Sequence, residues 1–235
     1  MKKVVVLTGA GISAESGIKT FRDSDGLWEN YRVEDVATYD AYLRNPKLVQ
    51  DFYNARRREV AHVKPNDGHR QLVRLEEKYD VQIITQNIDN LHEQAGSKKV
   101  LHLHGEITKA RSEKDADLIV DIGYNDINIG DKAPDGAQLR PHIVWFGEAV
   151  PNIEPAAEMC EKADYFIVVG SSLVVYPAAG LIHYVPRGVK CYLVDPKPME
   201  VSRAITTIAE PASTGVKKVV DELLALAEYQ ESSKI

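Results

Sequence analysis

The feature that most constrains this chain is an apolar strand that ends in a glycine loop close to the beginning of the sequence. Residues 4–7 are all aliphatic, and they are followed by Gly9-Ala10-Gly11 and later by Gly17. Such a loop is typical of nucleotide-binding α/β proteins, because glycines let backbone N–H groups approach a pyrophosphate and the next helix N-terminus favours its charge. Gly17 comes too late for the Gly-x-Gly-x-x-Gly spacing, so the loop alone indicates either a nucleotide site or a turn that binds nothing.

Apolar runs recur along the chain and alternate with stretches of helical periodicity. The predicted strands are residues 4–7, 81–85, 100–103, 165–169 and 191–194, and the predicted helices include residues 69–79, 88–95, 155–163 and 216–228. Apolar strands separated by helices indicate a parallel sheet that is covered on both faces. A chain of 235 residues is long enough for one large α/β domain with a smaller inserted module.

Two stretches do not follow this alternation and predict a small module beside the sheet. Residues 33–65 are helical in pattern, with Leu48, Val49, Phe52 and Tyr53 on one face, and residues 109–140 are rich in Asp, Gly and Asn. We therefore expect an α/β protein with a Rossmann-like parallel-sheet domain and an inserted module. The expected domain comprises residues 1–32, 66–108 and 142–235, and the module comprises residues 33–65 and 109–141.

Charge and cysteine content argue against several classes of function. The net charge of −6 disfavours non-specific binding to nucleic acid, which requires clustered Lys and Arg. No stretch approaches the roughly 18–20 apolar residues of a membrane helix. Cys160 and Cys191 form neither a disulfide framework nor a metal-binding spacing. We expect a cytoplasmic protein whose partners include neither nucleic acid nor a membrane.

Polar residues follow three of the predicted strands, at the edge where parallel sheets bind their ligands. Asn87 and Asp89 come after strand 81–85, Ser171 comes after strand 165–169, and Asp195 comes after strand 191–194. Asp195 would suit the hydroxyls of a ribose. Other interpretations stay open, because Asn87 or Asp89 can cap the next helix and Asp195 begins an Asp-Pro-Lys-Pro turn.

Two histidines, His102 and His104, are predicted on one face of strand 100–103, followed by Gly105. Three interpretations compete: a metal pair, two core histidines with satisfied hydrogen bonds, or one general base that the glycine makes accessible. The lack of nearby cysteine or further histidine disfavours a metal. A histidine, which titrates near pH 6.5 when unperturbed, suits a base. Trp145 and Phe146 are each predicted to be core aromatics.

Taken in order, these motifs resemble those of the sirtuins, the NAD-dependent protein-lysine deacylases. Five segments match in register over nearly the whole chain, namely Gly9 to Phe21-Arg22, Gln86-Asn87-Ile88-Asp89, His104-Gly105, Trp145-Phe146-Gly147-Glu148 and Gly170-Ser171-Ser172. The segment Phe52-Tyr53-Asn54-Ala55-Arg56 is similar to the branch called class III, which includes bacterial deacylases and prefers acidic acyl groups.

The resemblance implies that NAD is a co-substrate rather than a hydride carrier. In the family, the acyl-lysine oxygen attacks the nicotinamide ribose and expels nicotinamide. A histidine then activates a ribose hydroxyl, and water releases lysine and O-acyl-ADP-ribose. The resemblance makes His104 the expected base and Asn87 a second catalytic residue. The NAD-binding residues that it implies are Gly9, Ala10, Gly11, Glu15, Phe21, Arg22, Gln86, Asn87, Asp89, Gly170, Ser171, Ser172, Asp195 and Ala212.

The resemblance also implies an acyl-lysine protein substrate that binds as an added β-strand. The residues expected to line this strand are Val144, Phe146, Gly147, Glu148, Leu173 and Val174. Tyr53 and Arg56 share a helix face, where an arginine fork beside a phenol can grip the carboxylate of a succinyl or malonyl group. We therefore expect a desuccinylase, demalonylase and deacetylase, with Arg57 and Arg58 on a solvated face.

The chain departs from the family pattern in two places. Asp195 stands where an asparagine is expected, a change that keeps hydrogen bonding to ribose. Sirtuins usually carry four cysteines that bind a structural zinc, but residues 109–140 contain none, and Ser112 stands about where the first would be. We therefore expect no zinc and no other metal, and a module held by apolar packing. The apolar residues available for that packing are Leu118, Ile119, Val120, Ile122, Tyr124, Ile127 and Ile129.

Two other functions remain open at this point. The same ribose chemistry could serve NAD hydrolysis or ADP-ribosyl transfer to protein, and a protein of another class could bind NAD as a non-catalytic sensor. The presence of His104 and Asn87 argues against a sensor, because binding alone needs neither a base nor that amide.

Overall fold

The computed structural model describes residues 1–19, 27–28 and 31–232, with the backbone alone for 27–28. In chain order its elements are β1 (Lys3–Thr8), α1 (Gly11–Ala14), β2 (Leu27–Trp28), β3 (Tyr31–Arg32), α2 (Val33–Val36), α3 (Tyr39–Arg44), α4 (Pro46–Val60), α5 (Asp67–Leu75), β4 (Asp80–Thr85), α6 (Leu91–Ala95), β5 (Val100–His102), β6 (Gly105–Ser112), β7 (Ile119–Asp121), β8 (Leu139–Ile143), α7 (Ile153–Glu161), β9 (Tyr165–Val169), a 3₁₀ helix (Ala178–His183), β10 (Lys190–Val194), β11 (Thr206–Ile208) and α8 (Ala212–Ser232).

The main sheet has six parallel strands in the order β11-β10-β9-β1-β4-β5. Its two halves meet at β1, which pairs with β4 on one side and β9 on the other. The predicted Rossmann-like α/β class is therefore confirmed, and each of the five predicted strands is present. The edge strand β11 was not predicted, because its three residues, Thr206–Ile208, carry little apolar signal.

Alternation along β1 explains why the sheet needs helices on both of its faces. Val4 and Val6 pack into one apolar cluster with residues of α5 and α8, whereas Val5 and Leu7 pack into the opposite cluster with residues of α7. All four side chains are fully buried. A strand buried on both faces has no polar side, which accounts for the unbroken apolar run near the beginning of the chain.

A third apolar cluster joins α2, α3 and α4 to the β6–β8 region. Asn45 caps α4 by accepting a hydrogen bond from the Leu48 N–H, and Pro46 occupies the first turn. The predicted apolar face of α4 is confirmed, since Phe52 and Tyr53 are buried in this cluster beside Trp145. The antiparallel sheet β7-β6-β8 packs next to it.

The expected apolar packing of residues 118–129 is wrong for three of its seven members. Ile119, Tyr124 and Ile129 are exposed, and Ile127 is the one member that is fully buried. The reason is geometric, because β7 is a three-residue edge strand and residues 122–129 form a loop whose outer side chains meet solvent.

Polar side chains of α4 bind this region instead. Asn54 exchanges two hydrogen bonds of 2.9 Å with the backbone N–H and carbonyl of Ile127. Arg57 donates to the Ile107 carbonyl and to Asn54 Oδ1, both at 2.7 Å. The expectation that Arg57 lies on a solvated face is wrong: its side chain is fully buried, and burial lowers its pKa to about 10. Arg58 is exposed, as expected, and pairs with Asp126.

None of the helices within the described residues combines the length and the apolar character that crossing a bilayer would require.

Candidate active site

The carboxyl ends of β1, β4, β9 and β10 open into one cleft of about 530 Å³. Parallel sheets bind ligands at this edge, as expected. Most of the residues singled out from the sequence line the cleft, namely Gly9, Ala10, Gly11, Tyr53, Arg56, Gln86, Asn87, Asp89, His104, Val144, Phe146, Gly147, Glu148, Gly170, Ser171, Ser172 and Asp195.

The glycine loop makes a close backbone contact that the sequence did not indicate. A Cβ on Gly11 would lie 2.6 Å from the Gly170 Cα, and a Cβ on Gly9 would lie 2.8 Å from the Gly170 carbonyl oxygen. The Gly9 and Gly11 N–H groups donate to the carbonyls of Val169 and Gly170, and α1 has only four residues. The glycines therefore let two strand-end loops touch each other, and these two N–H groups are already engaged.

A chain of hydrogen bonds organises the loop after β4. Asn87 Nδ2 donates to the Gly9 carbonyl at 3.2 Å and to Ser13 Oγ at 3.1 Å, and Ser13 Oγ donates to Asp89 Oδ2 at 3.1 Å. Asp89 also accepts from the Leu91 N–H, so its capping interpretation holds together with its place in the cleft. Burial raises the pKa of Asp89. Because Asn87 Nδ2 is used within the loop, Oδ1 is the amide atom that can accept from a ligand.

His104 is oriented by a backbone contact that selects its tautomer. Its Nδ1 lies 2.9 Å from the Gln86 carbonyl oxygen, which can only accept, so Nδ1 carries the proton. Nε2 is then the basic nitrogen of the neutral ring. Burial lowers the pKa of His104, and the bond to the Gln86 carbonyl partly opposes this shift. The arrangement suits a general base that is neutral near pH 7.

His102 and His104, which were predicted on one face of strand 100–103, have different surroundings. Strand β5 ends at His102, whose ring contacts the Asn87 carbonyl oxygen at 3.0 Å and Glu93 Oε1 at 2.8 Å. Burial lowers the pKa of His102, but Glu93 outweighs burial and the net shift is upward. His102 is thus a satisfied core histidine behind the cleft. No group of three or more metal-binding side chains occurs within the described ranges.

The remaining strand ends carry groups suited to hydroxyls. Gln86 Nε2 donates to Ser171 Oγ at 2.9 Å, which connects the loops after β4 and β9. Asp195 is buried after β10, and its Oδ1 accepts from the Lys197 N–H at 2.8 Å. Asp195 therefore closes the predicted turn and also lines the cleft, and its role toward a ribose stays a prediction.

The segment after β8 forms another wall of the cleft. Trp145 is buried, as predicted, but Phe146 is 50% exposed, so its assignment to the core is wrong. Glu148 closes the turn that begins at Trp145: its carboxylate accepts from the Trp145 N–H at 2.9 Å and from Arg140 at 2.7 and 2.9 Å. Arg111 adds a further contact to the same carboxylate at 3.0 Å.

The far end of the cleft is formed by α4. Tyr53 and Arg56 are both buried and both line the cleft, and burial raises the pKa of Tyr53 so that the phenol keeps its proton. Arg56 Nη1 lies 2.6 Å from Glu59 Oε2. This end therefore combines a neutral hydroxyl donor with a charged guanidinium.

Four predicted residues lie outside the described lining of this cleft. Glu15 accepts hydrogen bonds from the N–H and Oγ of Ser213, and Ala212 is buried. Leu173 is half-buried with a φ of 52°, and Val174 is exposed. Phe21 and Arg22 lie outside the described residues.

The structure also adds lining residues that the motifs did not indicate. Ser13 connects Asn87 to Asp89, and its place directly after the glycine loop was the available signal. Lys19 and Tyr176 line the cleft as well, but neither stands in a pattern that distinguishes it from an ordinary surface residue.

Comparison with known proteins agrees with this geometry. Residues 9–177 match the profile of the Sir2 family. The chain is 55% identical over 231 residues to an NAD-dependent protein deacylase of Bacteroides thetaiotaomicron, covering 95% of this chain and 99% of the relative. It is 48% identical to an NAD-dependent protein deacylase of Helicobacter pylori, with 97% and 100% covered. The crystal structure of a Sir2 homolog–NAD complex superposes with a TM-score of 0.86 at 36% identity, covering 96% of this chain and 91% of that one.

Proposed function

The chain belongs to the Sir2 family and is an NAD-dependent protein deacylase, and we propose that it removes succinyl and malonyl groups, as well as acetyl groups, from lysine side chains of proteins. The observation that carries the acyl preference is the position of Arg56, a buried guanidinium in the cleft wall beside the Tyr53 phenol.

The donors and acceptors in the cleft fit NAD. The Asp195 carboxylate is buried at a strand end and suits ribose hydroxyls, while Ser171 and Ser172 offer further hydroxyls after β9. When bound, NAD supplies an electrophilic ribose carbon with nicotinamide as its leaving group. We propose that the ribose next to nicotinamide lies between Asn87 and His104, since these two side chains approach the cleft from adjacent loops.

His104 and Asn87 have separate roles in this proposal. His104 Nε2 takes a proton from a ribose hydroxyl, because Nδ1 is fixed as a donor to the Gln86 carbonyl. Asn87 orients the ribose through Oδ1, because Nδ2 is held by the glycine loop and by Ser13. The buried network behind them keeps both groups in place when the ligand arrives.

The substrate peptide is proposed to lie against Val144, Phe146, Gly147 and Glu148 on one side and Leu173 and Val174 on the other. The half-exposed Phe146 ring supports this placement, because it offers apolar surface at the cleft mouth. A strand added between two chain segments gains affinity from backbone hydrogen bonds and accepts varied sequences. The acylated lysine then reaches inward toward Tyr53 and Arg56.

We call the part of the cleft around Tyr53 and Arg56 its acyl end, and we propose that it recognises the negative charge of an acidic acyl group. A guanidinium can grip a carboxylate with two parallel hydrogen bonds, and a protonated phenol adds a third donor. We also propose that residues 33–65 and 109–141 form the small module that carries this end, and that it folds without zinc.

Peptides that differ in one acyl group test the proposed preference. The wild-type enzyme is assayed with NAD and a lysine peptide carrying a succinyl group, its neutral amide succinamyl, or an acetyl group. The expected kcat/KM is at least about tenfold higher for succinyl than for succinamyl, because the two have nearly the same shape and differ in charge. Equal values for these two peptides would contradict recognition of the carboxylate.

A further inference from the structure

Glu59 is a carboxylate that pairs with Arg56 and lines a neighbouring depression rather than the cleft. It follows Arg56 by one helical turn on α4, and its Oε2 lies 2.6 Å from Arg56 Nη1. The Arg56 side chain is only 7% exposed, whereas the Glu59 side chain is 54% exposed. A buried guanidinium is thus compensated by a carboxylate that reaches it from the solvent side.

Arg56 stands in a wall between two openings. One is the cleft described above, and the other is an outer depression of about 370 Å³. Arg56 lines both of them, whereas Glu59 is placed on the outer depression alone. The guanidinium can therefore be approached by an acyl chain from the cleft and by Glu59 from outside, without the two occupying the same space.

We propose that Glu59 is a resident counter-ion that competes with the acyl carboxylate for Arg56 and thereby sets the balance between acidic and neutral acyl groups. This inference rests on the proposed function. It assigns to Glu59 a role in specificity, exerted through Arg56, that does not require contact with the reacting atoms.

The charges near Arg56 determine which acyl group Glu59 favours. With a neutral acyl chain in the cleft, the Arg56–Glu59 pair remains neutral, so no uncompensated charge is buried. With an acidic acyl chain, the acyl carboxylate and Glu59 both face the Arg56 guanidinium and repel each other. Glu59 can turn toward water at small cost because half of its side chain is already exposed. Glu59 therefore favours acetyl-lysine relative to succinyl-lysine.

The variant Glu59→Gln tests this inference through a ratio of rates. We expect kcat/KM for the succinyl peptide divided by kcat/KM for the acetyl peptide to rise about threefold to tenfold. The change should reside mainly in KM, and the succinamyl peptide should respond as the acetyl peptide does. A loss of folded protein lowers all three rates equally and leaves the ratio unchanged.

Asp51→Asn is the matched control. Asp51 lies on the same helix, has a side chain 57% exposed and pairs with Lys47, but it is not among the described residues that line either opening. In Asp51→Asn, the ratio of kcat/KM for the succinyl peptide to kcat/KM for the acetyl peptide should equal that of the wild type. A wild type that prefers succinyl over succinamyl, together with an unchanged or lower ratio in Glu59→Gln, would overturn the role of Glu59 alone. A wild type without that preference would overturn the proposed function and this inference with it.

Discussion

The two ends of the cleft are built on different principles. At the proposed ribose end, around Asn87 and His104, the side chains follow strand ends of the parallel sheet. Asn87 donates hydrogen bonds of 3.2 and 3.1 Å to the glycine loop and to Ser13. At the acyl end, a single helix presents a buried charge, Arg56, whose counter-ion Glu59 stands in solvent. We therefore propose that the reaction depends on a preorganised network and that the acyl preference depends on the charge of Arg56. Substitutions at the two ends should therefore have separable effects.

The largest expected effect lies at the ribose end. His104→Ala removes the proposed base and should lower kcat by about 10²–10⁴-fold for every acyl peptide alike. NAD affinity, measured by calorimetry, should stay close to that of the wild type. His183→Ala, which removes an exposed histidine outside the described cleft lining, should have no effect. Near-normal turnover in the His104 variant would remove this residue from the mechanism.

A selective effect is expected at the acyl end. Arg56→Met should lower kcat/KM for the succinyl peptide by at least about 30-fold, because truncating one partner of a buried charge pair costs about 2–5 kcal/mol. Deacetylation should be largely spared, since the acetyl group has no carboxylate to bind. Arg58→Met on the same helix is the control, because Arg58 is exposed and pairs with Asp126. A parallel loss of both activities would show that Arg56 does not select the acyl group.

The same contrast explains what the sequence could predict. The sheet, its strands and the residues at their carboxyl ends follow from apolar periodicity, because a parallel strand buried on both faces has few alternatives. The glycine loop was found, but its packing against Gly170 depends on a contact across the sheet that local sequence does not contain. Arg57 was misjudged for the same reason, because the Ile107 carbonyl that accepts its hydrogen bond meets it only in the fold.

The hydrogen bonds of Asn54, on the same helix as Arg56, stabilise this end of the cleft. We therefore expect their removal to lower the stability of the protein. Asn54→Ala deletes both bonds to Ile127 and one acceptor for Arg57, so it leaves buried polar groups unpaired. The free energy of unfolding should fall by about 2–4 kcal/mol. Urea denaturation measures this change, and the exposed Asn128→Ala should cost under about 0.5 kcal/mol. Equal values for the two variants would contradict the buried role of Asn54.

The pH profile sharpens the assignment at the ribose end. Burial lowers the pKa of His104, so the neutral, basic form persists below the unperturbed value of about 6.5. The decrease of kcat/KM on the acidic side should therefore occur below about pH 6.5, where the ring gains a proton and can no longer act as a base. A decrease that begins above pH 7 would mean that the limiting group is not this histidine.

No effect at all is expected from metal removal. Ser112 stands where the resemblance would place a zinc-binding cysteine, and its hydroxyl instead donates to Asp135 at 2.6 Å. Its oxygen also accepts from the Lys114 N–H at 3.1 Å, so the turn is closed by hydrogen bonds. A strong chelator should leave the melting temperature and both activities unchanged. Elemental analysis that finds one tightly bound zinc per chain would refute this prediction.

The most direct test of the account weighs the products of one reaction. The protein is incubated with NAD and an equimolar mixture of succinyl- and acetyl-lysine peptides, and all species are followed by mass spectrometry. We expect free-lysine peptide, nicotinamide and O-acyl-ADP-ribose in equal amounts, with the succinyl peptide consumed first. A peptide that gains the mass of ADP-ribose, or NAD that is consumed while both peptides keep their acyl groups, would contradict it.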